Sequence, residues 1–232
     1  MLTVDHLAAS YGPAQVLFDI SFSVGAGEVV TLLGRNGMGK TTTIFALMGL
    51  VPPQGGSATF DGKSLLGLPP YAIAQAGLGL VPEGRQVFPT LTVEENLVAT
   101  GAARFGTPQW TLARVYDFFP SLAARKHNMG NELSGGEQQM LAIGRALMTN
   151  PKVLILDEAT EGLAPKIRTE IWQCLAKLKA EGQAILVVDK HLTALLGIAD
   201  RHVVIEKGYV VWTGNSEALA ADPTVRQRYL QV

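Results

Sequence analysis

The stretch Gly34-Arg35-Asn36-Gly37-Met38-Gly39-Lys40-Thr41-Thr42 has the residue types and spacing needed to hold the phosphates of a nucleotide. It fits the pattern G-x-x-x-x-G-K-[ST], in which glycines let backbone N–H groups approach phosphate oxygens without a Cβ in the way. Lys40 brings a mobile cation to the β- and γ-phosphates, and the Thr41 hydroxyl can ligate Mg²⁺. Asp157-Glu158 closes the apolar run Val153–Leu156. Ligand groups of α/β proteins collect at the carboxyl ends of such strands. Beside a phosphate loop, Asp157 is the expected Mg²⁺ partner, and Glu158 can polarise a water for attack on the γ-phosphate. His191 stands just past a second apolar run, Ala184–Val188, and is expected on the same edge as a γ-phosphate contact.

These groups need elements to carry them. Val29–Leu33 is a short apolar run of the kind that forms a buried parallel strand, and a helix with Ile44 to Leu50 follows the loop and closes at Gly49. The helix start places its dipole and free N–H groups at the phosphate site. Ser134 with Glu137 three residues on is a capping box, and Gly135-Gly136 after the cap exposes the first N–H groups of a helix running to Met148. Pro165 starts the next helix and Gly182 follows its end. Phe18, Ile20, Phe22 and Val24 alternate with polar residues, the period of a half-buried strand in an antiparallel sheet near the N-terminus. Tyr11, in a Gly-containing turn, reads on its own as a packing residue. Pro52–Gly56 is expected to be a loop before a strand at Ser57–Phe60. Thr92 and Glu95 form another capping box, and Leu112–Phe119 reads as helix. Val203–Ile205 and Tyr209–Trp212 form an expected hairpin. The whole chain, 1–232, reads as one α/β domain: a P-loop core of mostly parallel sheet, an N-terminal antiparallel β subdomain, and a helical insert at about 86–150.

Net charge is −1, which argues against nucleic acid as a partner. No run of 18 apolar residues offers a membrane span, and Met1–Asp5 lacks the start of a signal peptide, so a cytoplasmic protein is expected. Cys174 shares helical spacing with Ile171, Leu175 and Leu178, which points to a buried face, not to redox or metal chemistry. His6, His127 and His202 have no carboxylate or Cys at ligand spacing and are assigned no function. The ending at Val232 is expected to leave no room for a regulatory domain.

Taken together, the phosphate loop, LSGGEQQ at 133–139 and VLILDE at 153–158 resemble the ATP-binding subunits of ABC transporters over essentially the whole chain. The resemblance implies an ATP hydrolase using ATP and Mg²⁺ and coupled to transmembrane transport. It implies that Tyr11 stacks on adenine, that Gly34 to Thr42 hold phosphates, and that Thr41 and Asp157 hold the metal. Glu158 would be the general base and His191 the switch histidine. It further implies a head-to-tail dimer with a second ATPase subunit, in which Ser134, Gly135, Gly136 and Gln138 of the signature face the other chain's ATP. The remaining partners would be transmembrane permease subunits and a separate solute-binding protein, with the ATPase peripheral on the inner face of the plasma membrane.

Two departures narrow the resemblance. Glu83 stands where the family usually has the Gln of its Q-loop, and Ala159–Pro165 replaces the usual Ser-Ala-Leu-Asp run after the catalytic Glu. Both, with VEENL at 93–97, resemble the shorter ATPase subunit of branched-chain amino-acid importers. Related importers for urea, amides or aromatic acids have similar subunits. Glu83-Gly84-Arg85 is expected to act as a hinge toward a permease contact; Val87, Phe88 and Leu91, apolar residues in a loop, read equally as part of that contact or as core packing. Because Asp157, Glu158 and a triphosphate already crowd negative charge together, Glu83 is expected to point away from the metal when nucleotide is absent, toward Arg85 or a permease residue as its partner.

Overall fold

The computed structural model describes residues 1–230. In chain order, β1 (Leu2–Tyr11), β2 (Ala14–Val24) and β3 (Val29–Leu33) lead into α1 (Lys40–Leu47). Then come β4 (Pro53–Phe60), β5 (Lys63–Ser64), α2 (Pro70–Ala76) and β6 (Leu78–Val81). Helices α3 (Val93–Val98), α4 (Leu112–Phe118), α5 (Pro120–Ala124) and α6 (Gly135–Met148) follow, with one 3₁₀ turn at Gly130–Glu132. The chain continues through β7 (Val153–Asp157), α7 (Pro165–Ala180), β8 (Ala184–Val188), α8 (Leu192–Ile198), β9 (Arg201–Glu206), β10 (Tyr209–Gly214), α9 (Ser216–Ala221) and α10 (Pro223–Val225). The strand order is β5-β4-β1-β2-β10-β9-β3-β8-β7-β6. Strands β6, β7, β8, β3 and β9 are parallel, while β4 and β2 each pair antiparallel with β1.

The apolar runs are continuous because the parallel strands are covered on both faces. Val29 and Leu33 of β3, with Ile185 and Val187 of β8, pack into the cluster under α6 and α7. Their neighbours Val30, Leu32, Leu186 and Val188 face the opposite cluster, between α1 and the antiparallel strands. The stretch at 86–150 carries α3 to α6, as expected, but does not keep its own core. Leu97, Val115 and Leu122 share one cluster with Met140 to Met148 of α6 and with Leu154 and Leu156 of β7. Both capping boxes form: Thr92 Oγ1 accepts from Glu95 N, and Ser134 Oγ accepts from Glu137 N. In α7, Ile171, Leu175 and Leu178 are fully buried, with Cys174 at the margin of that face.

Two expectations fail locally. Phe18 is 41% exposed and Leu17 fully buried, because β2 bulges there. Ala9 pairs with Leu17 and Leu7 with Ile20, so two steps on β1 match three on β2. The N–H groups of Phe18 and Asp19 both donate to Gly208 O, at 2.9 and 3.1 Å. Phe18 instead stacks outside on Tyr209, ring centroids 5.2 Å apart. Secondly, Pro53–Gly56 is the start of β4, not loop. Gly56 takes a positive φ of 81° against His6 O, where a Cβ would collide, so the glycine permits a strand that its composition argues against.

Candidate active site

The parallel strands deliver their functional residues to one edge. Asp157 pairs with Val188 at the ends of β7 and β8, and Gly34 leaves the end of β3 beside them. Gly34 (φ 141°) lies so close to the Ile205 carbonyl that a Cβ would collide with it. Gly39 (φ 109°) caps α1, and a Cβ there would sit 2.8 Å from Leu17 Cδ2. Both backbone conformations and both contacts need glycine. Arg35, Asn36 and Gly37 are exposed, Met38 is half-buried, and Lys40 and Thr42 are buried at the helix start.

A cleft of about 630 Å³ is lined by Asn36, Gly37, Gly39, Lys40, Thr41, Thr42, Val16, Glu83, Glu158 and Glu161. Lys40 Nζ donates to Gly34 O at 2.8 Å and Arg35 O at 2.9 Å, so the loop is wrapped around its own ammonium. Burial pushes the Lys40 pKa down, and the carboxylates of Glu158 and Asp157 oppose that. Thr41 Oγ1 donates to Asp157 Oδ1 at 3.2 Å. Asp157 Oδ2 is buried with no hydrogen-bond partner. A buried, unpaired carboxylate oxygen beside a hydroxyl is a donor set suited to a hard divalent cation. Burial raises the Asp157 pKa, with the Thr41 hydroxyl and Lys40 pulling it back down.

Glu158 follows β7 in a left-handed conformation, φ 48°, held by its N–H donating to Val188 O at 2.8 Å. A non-glycine residue in that region is strained, and its carboxyl is aimed by backbone. One carboxylate oxygen from each of Glu83, Glu158 and Glu161 lies within 4.8 Å of the others. Burial, then hydrogen bonding and repulsion from Glu161, lift the Glu158 pKa to about 7. Hydrogen bonding with Glu158, and then with Lys190 Nζ, which donates to Glu161 Oε1 at 2.5 Å, lowers the Glu161 pKa.

Glu83 therefore does not turn away from this centre. It lines the cleft, and no ion pair with Arg85 forms among the described residues. Arg85 and Gln86 both have positive φ, 66° and 43°, and the Arg85 side chain lies elsewhere. Its guanidinium lies over the signature glycine Gly135, where a Cβ would be 2.7 Å from Nη1. Phe88 is exposed beneath the Arg145 guanidinium, 4.0 Å from its ring centroid, while Val87 packs against the core.

Other expected site residues are not brought to this cleft within one chain. Ser134 is exposed at the N-cap of α6, Gly135 is half-buried, and Gly136 lies against Ile167. Gln138 Nε2 donates to Gly130 O at 3.0 Å. Tyr11, 48% exposed, ends β1 opposite Ala14. His191 faces a neighbouring cleft with Arg168 and Lys190. Glu161, Lys190 and Arg168 were not legible as site residues. The only trace in the sequence is the departure at Ala159–Pro165, which contains Glu161.

Among the described residues no helix is long and apolar enough to cross a membrane. The protein-family profile described as "ABC transporter" matches residues 17–161. The chain is 43% identical, over 99% of both chains, to the high-affinity branched-chain amino acid transport ATP-binding protein BraG of Pseudomonas aeruginosa. It is 35% identical, over 99% of this chain and 97% of the relative, to the lipopolysaccharide export system ATP-binding protein LptB of Haemophilus influenzae. A crystal structure of an ABC transporter's ATP-binding cassette in its ADP conformation superposes with a TM-score of 0.84 at 27% identity, covering 98% of this chain and 97% of that one. The strand-edge site, the capped signature helix and these likenesses converge: the chain belongs to the ATP-binding, ATP-hydrolysing subunits of ABC transporters.

Proposed function

We propose that this subunit energises uptake of branched-chain amino acids, as half of a head-to-tail pair of ATPase subunits on the cytoplasmic face of the plasma membrane. Support for the solute is the 43% identity to BraG over nearly the full length, against 35% for the lipopolysaccharide exporter's subunit. Support for the chemistry is the convergence of Lys40, Thr41, Asp157 and Glu158 at one strand edge, the observation that carries the reading.

Loop N–H groups would hold the phosphates, and Lys40 would trade its two carbonyl partners for phosphate oxygens. Thr41 and Asp157 are the residues that would hold Mg²⁺, whose chemistry there would be neutralisation of phosphate charge. Glu158 would take the proton of the attacking water, and its pKa of about 7 suits a base working near neutrality. Tyr11 would stack on adenine, while Ser134, Gly135, Gly136 and Gln138 would serve the partner's nucleotide. Permease subunits would meet the 86–150 region at Phe88 and at the groove of about 270 Å³ between β6 and α6, which Arg85, Gln86 and Arg145 line. A separate solute-binding protein would select the cargo.

The test is uptake of labelled leucine in cells lacking this gene. Uptake should fall, return with the wild-type chain, and stay low with Glu158→Gln. Unchanged leucine uptake with loss of urea, amide or aromatic-acid uptake would move the assignment to one of those importers.

A further inference from the structure

Neither ring nitrogen of His191 is free. Nδ1 lies 2.7 Å from Asp189 Oδ1 and 3.1 Å from Thr160 Oγ1, and Nε2 lies 2.7 Å from Arg168 Nη1. A guanidinium can only donate, so Nε2 accepts, and the neutral ring carries its proton on Nδ1. Thr160 does not compete for that arrangement, because its hydroxyl already donates to Asp189 Oδ2 at 2.6 Å. The Nδ1–H therefore goes to Asp189, whose Oδ1 also accepts from His191 N at 3.0 Å. Arg168, in the first turn of α7, has no carboxylate within ion-pair distance among the described residues, and His191 is its side-chain partner.

A histidine that contacts a phosphate oxygen must offer N–H, and here Nε2 offers a lone pair with a guanidinium in front of it. We propose that Arg168 is a positioning residue that, with Asp189 already holding the proton on Nδ1, occupies the Nε2 lone pair of His191 and so restrains hydrolysis until its side chain swings away. This rests on the reading of His191 as a γ-phosphate contact. The restraint is a single hydrogen bond, which shifts an equilibrium by roughly two- to tenfold, small enough for an arriving phosphate to overcome. Space for the swing is present: Arg168 and His191 line a cleft of about 650 Å³, bounded by Trp172, Thr193 and Arg226. Lys190 does not replace Arg168 in front of the ring, because its ammonium is committed to Glu161.

The full chain labelled with ¹⁵N-histidine, with His191→Ala for assignment, reads the tautomer directly by NMR without nucleotide. Wild type should show His191 as Nδ1–H with a hydrogen-bonded Nε2; Arg168→Leu should move the Nε2 resonance to that of an unbonded acceptor, and Arg168→Lys, still a donor, should restore the wild-type position. ATP turnover of Arg168→Leu should rise roughly two- to tenfold at similar KM, and that of Arg168→Lys should not. An Nε2–H form in wild type, or an Nε2 resonance indifferent to Arg168, overturns the proposal, as does a freed Nε2 with unchanged or lower turnover. Should Arg168→Leu fail to fold, Arg168→Met, of similar length and without a donor, carries the same comparison. Full turnover in His191→Ala is a separate failure: it removes the phosphate role of His191 while leaving the tautomer result to stand or fall alone.

Discussion

Thr41 Oγ1 and Asp157 Oδ1 lie 3.2 Å apart although 116 positions separate them in the chain, so the first turn of α1 and the last residue of β7 share one polar contact. The other Asp157 oxygen is buried and unpaired. Asp157→Asn keeps the shape and removes the charge that a cation needs. Mg²⁺ should tighten ATP binding to wild type by about tenfold or more, the scale of one charge-assisted interaction. In Asp157→Asn most of that gain should vanish, while Mg²⁺-free affinity stays near wild type. Titrations with and without chelator check this, and an unchanged Mg²⁺ gain would remove Asp157 from the metal site.

Ser134, exposed at the cap of α6, is not a lining residue of its own chain's cleft at Lys40 and Thr41. Ser134→Arg alone and Lys40→Ala alone should each lack turnover. Mixed, they should recover up to roughly a quarter of wild-type rate, because half of the pairs are mixed and each keeps one of two composite sites. Ser134→Arg also loses an N-cap worth about 1 kcal/mol, so its melting temperature should be measured alongside. A mixture with no activity from two folded variants would mean that the signature serves its own chain.

Much of this site is written in local pattern. Val29–Leu33 and Val153–Asp157 are legible because strands buried on both faces must be apolar throughout, and the glycines of the loop are legible because phosphate approach excludes Cβ. Phe18 breaks its alternation because the bulge depends on Gly208, nearly two hundred residues on, which no local window contains. The same limit hides Arg168 and Glu161. Each is an ordinary charged residue near the start of α7, and only the fold supplies His191 or Glu158 as its neighbour.

His202 is fully buried, and burial pushes its pKa from 6.5 down to about 4. Ser216 Oγ donates to Ala199 O, so His202 Nε2–H donates to that hydroxyl, and Nδ1 accepts from Thr31 Oγ1 at 2.8 Å. The folded state thus favours the neutral ring. Above pH 6.5 neither state is protonated and stability is complete; as pH falls toward 4 the unfolded chain gains a proton that the fold refuses. Denaturant unfolding should show a loss of ~3 kcal/mol over that window relative to His202→Asn, at ~1.4 kcal/mol per pH unit. Parallel profiles for the two proteins would mean that His202 titrates normally in the fold.

Glu83 faces the same cleft as Glu158, and its charge raises the pKa of both Asp157 and Glu158. For Glu158 that contribution follows burial and Glu161, and it opposes Lys40. In its proposed role as general base Glu158 would work in its ionised form, so anything that raises its pKa would suppress turnover on the acid side. Glu83→Gln keeps size and hydrogen-bonding capacity while removing one negative charge. The acid limb of kcat/KM should therefore move to lower pH, raising the rate at pH 6 roughly two- to threefold and leaving the plateau above pH 8 within about twofold of wild type. A pH–rate profile of the purified full chain decides it. A uniform drop at every pH would mean that Glu83 holds metal or water through its carboxylate, and an unshifted profile would mean that its charge does not reach Glu158.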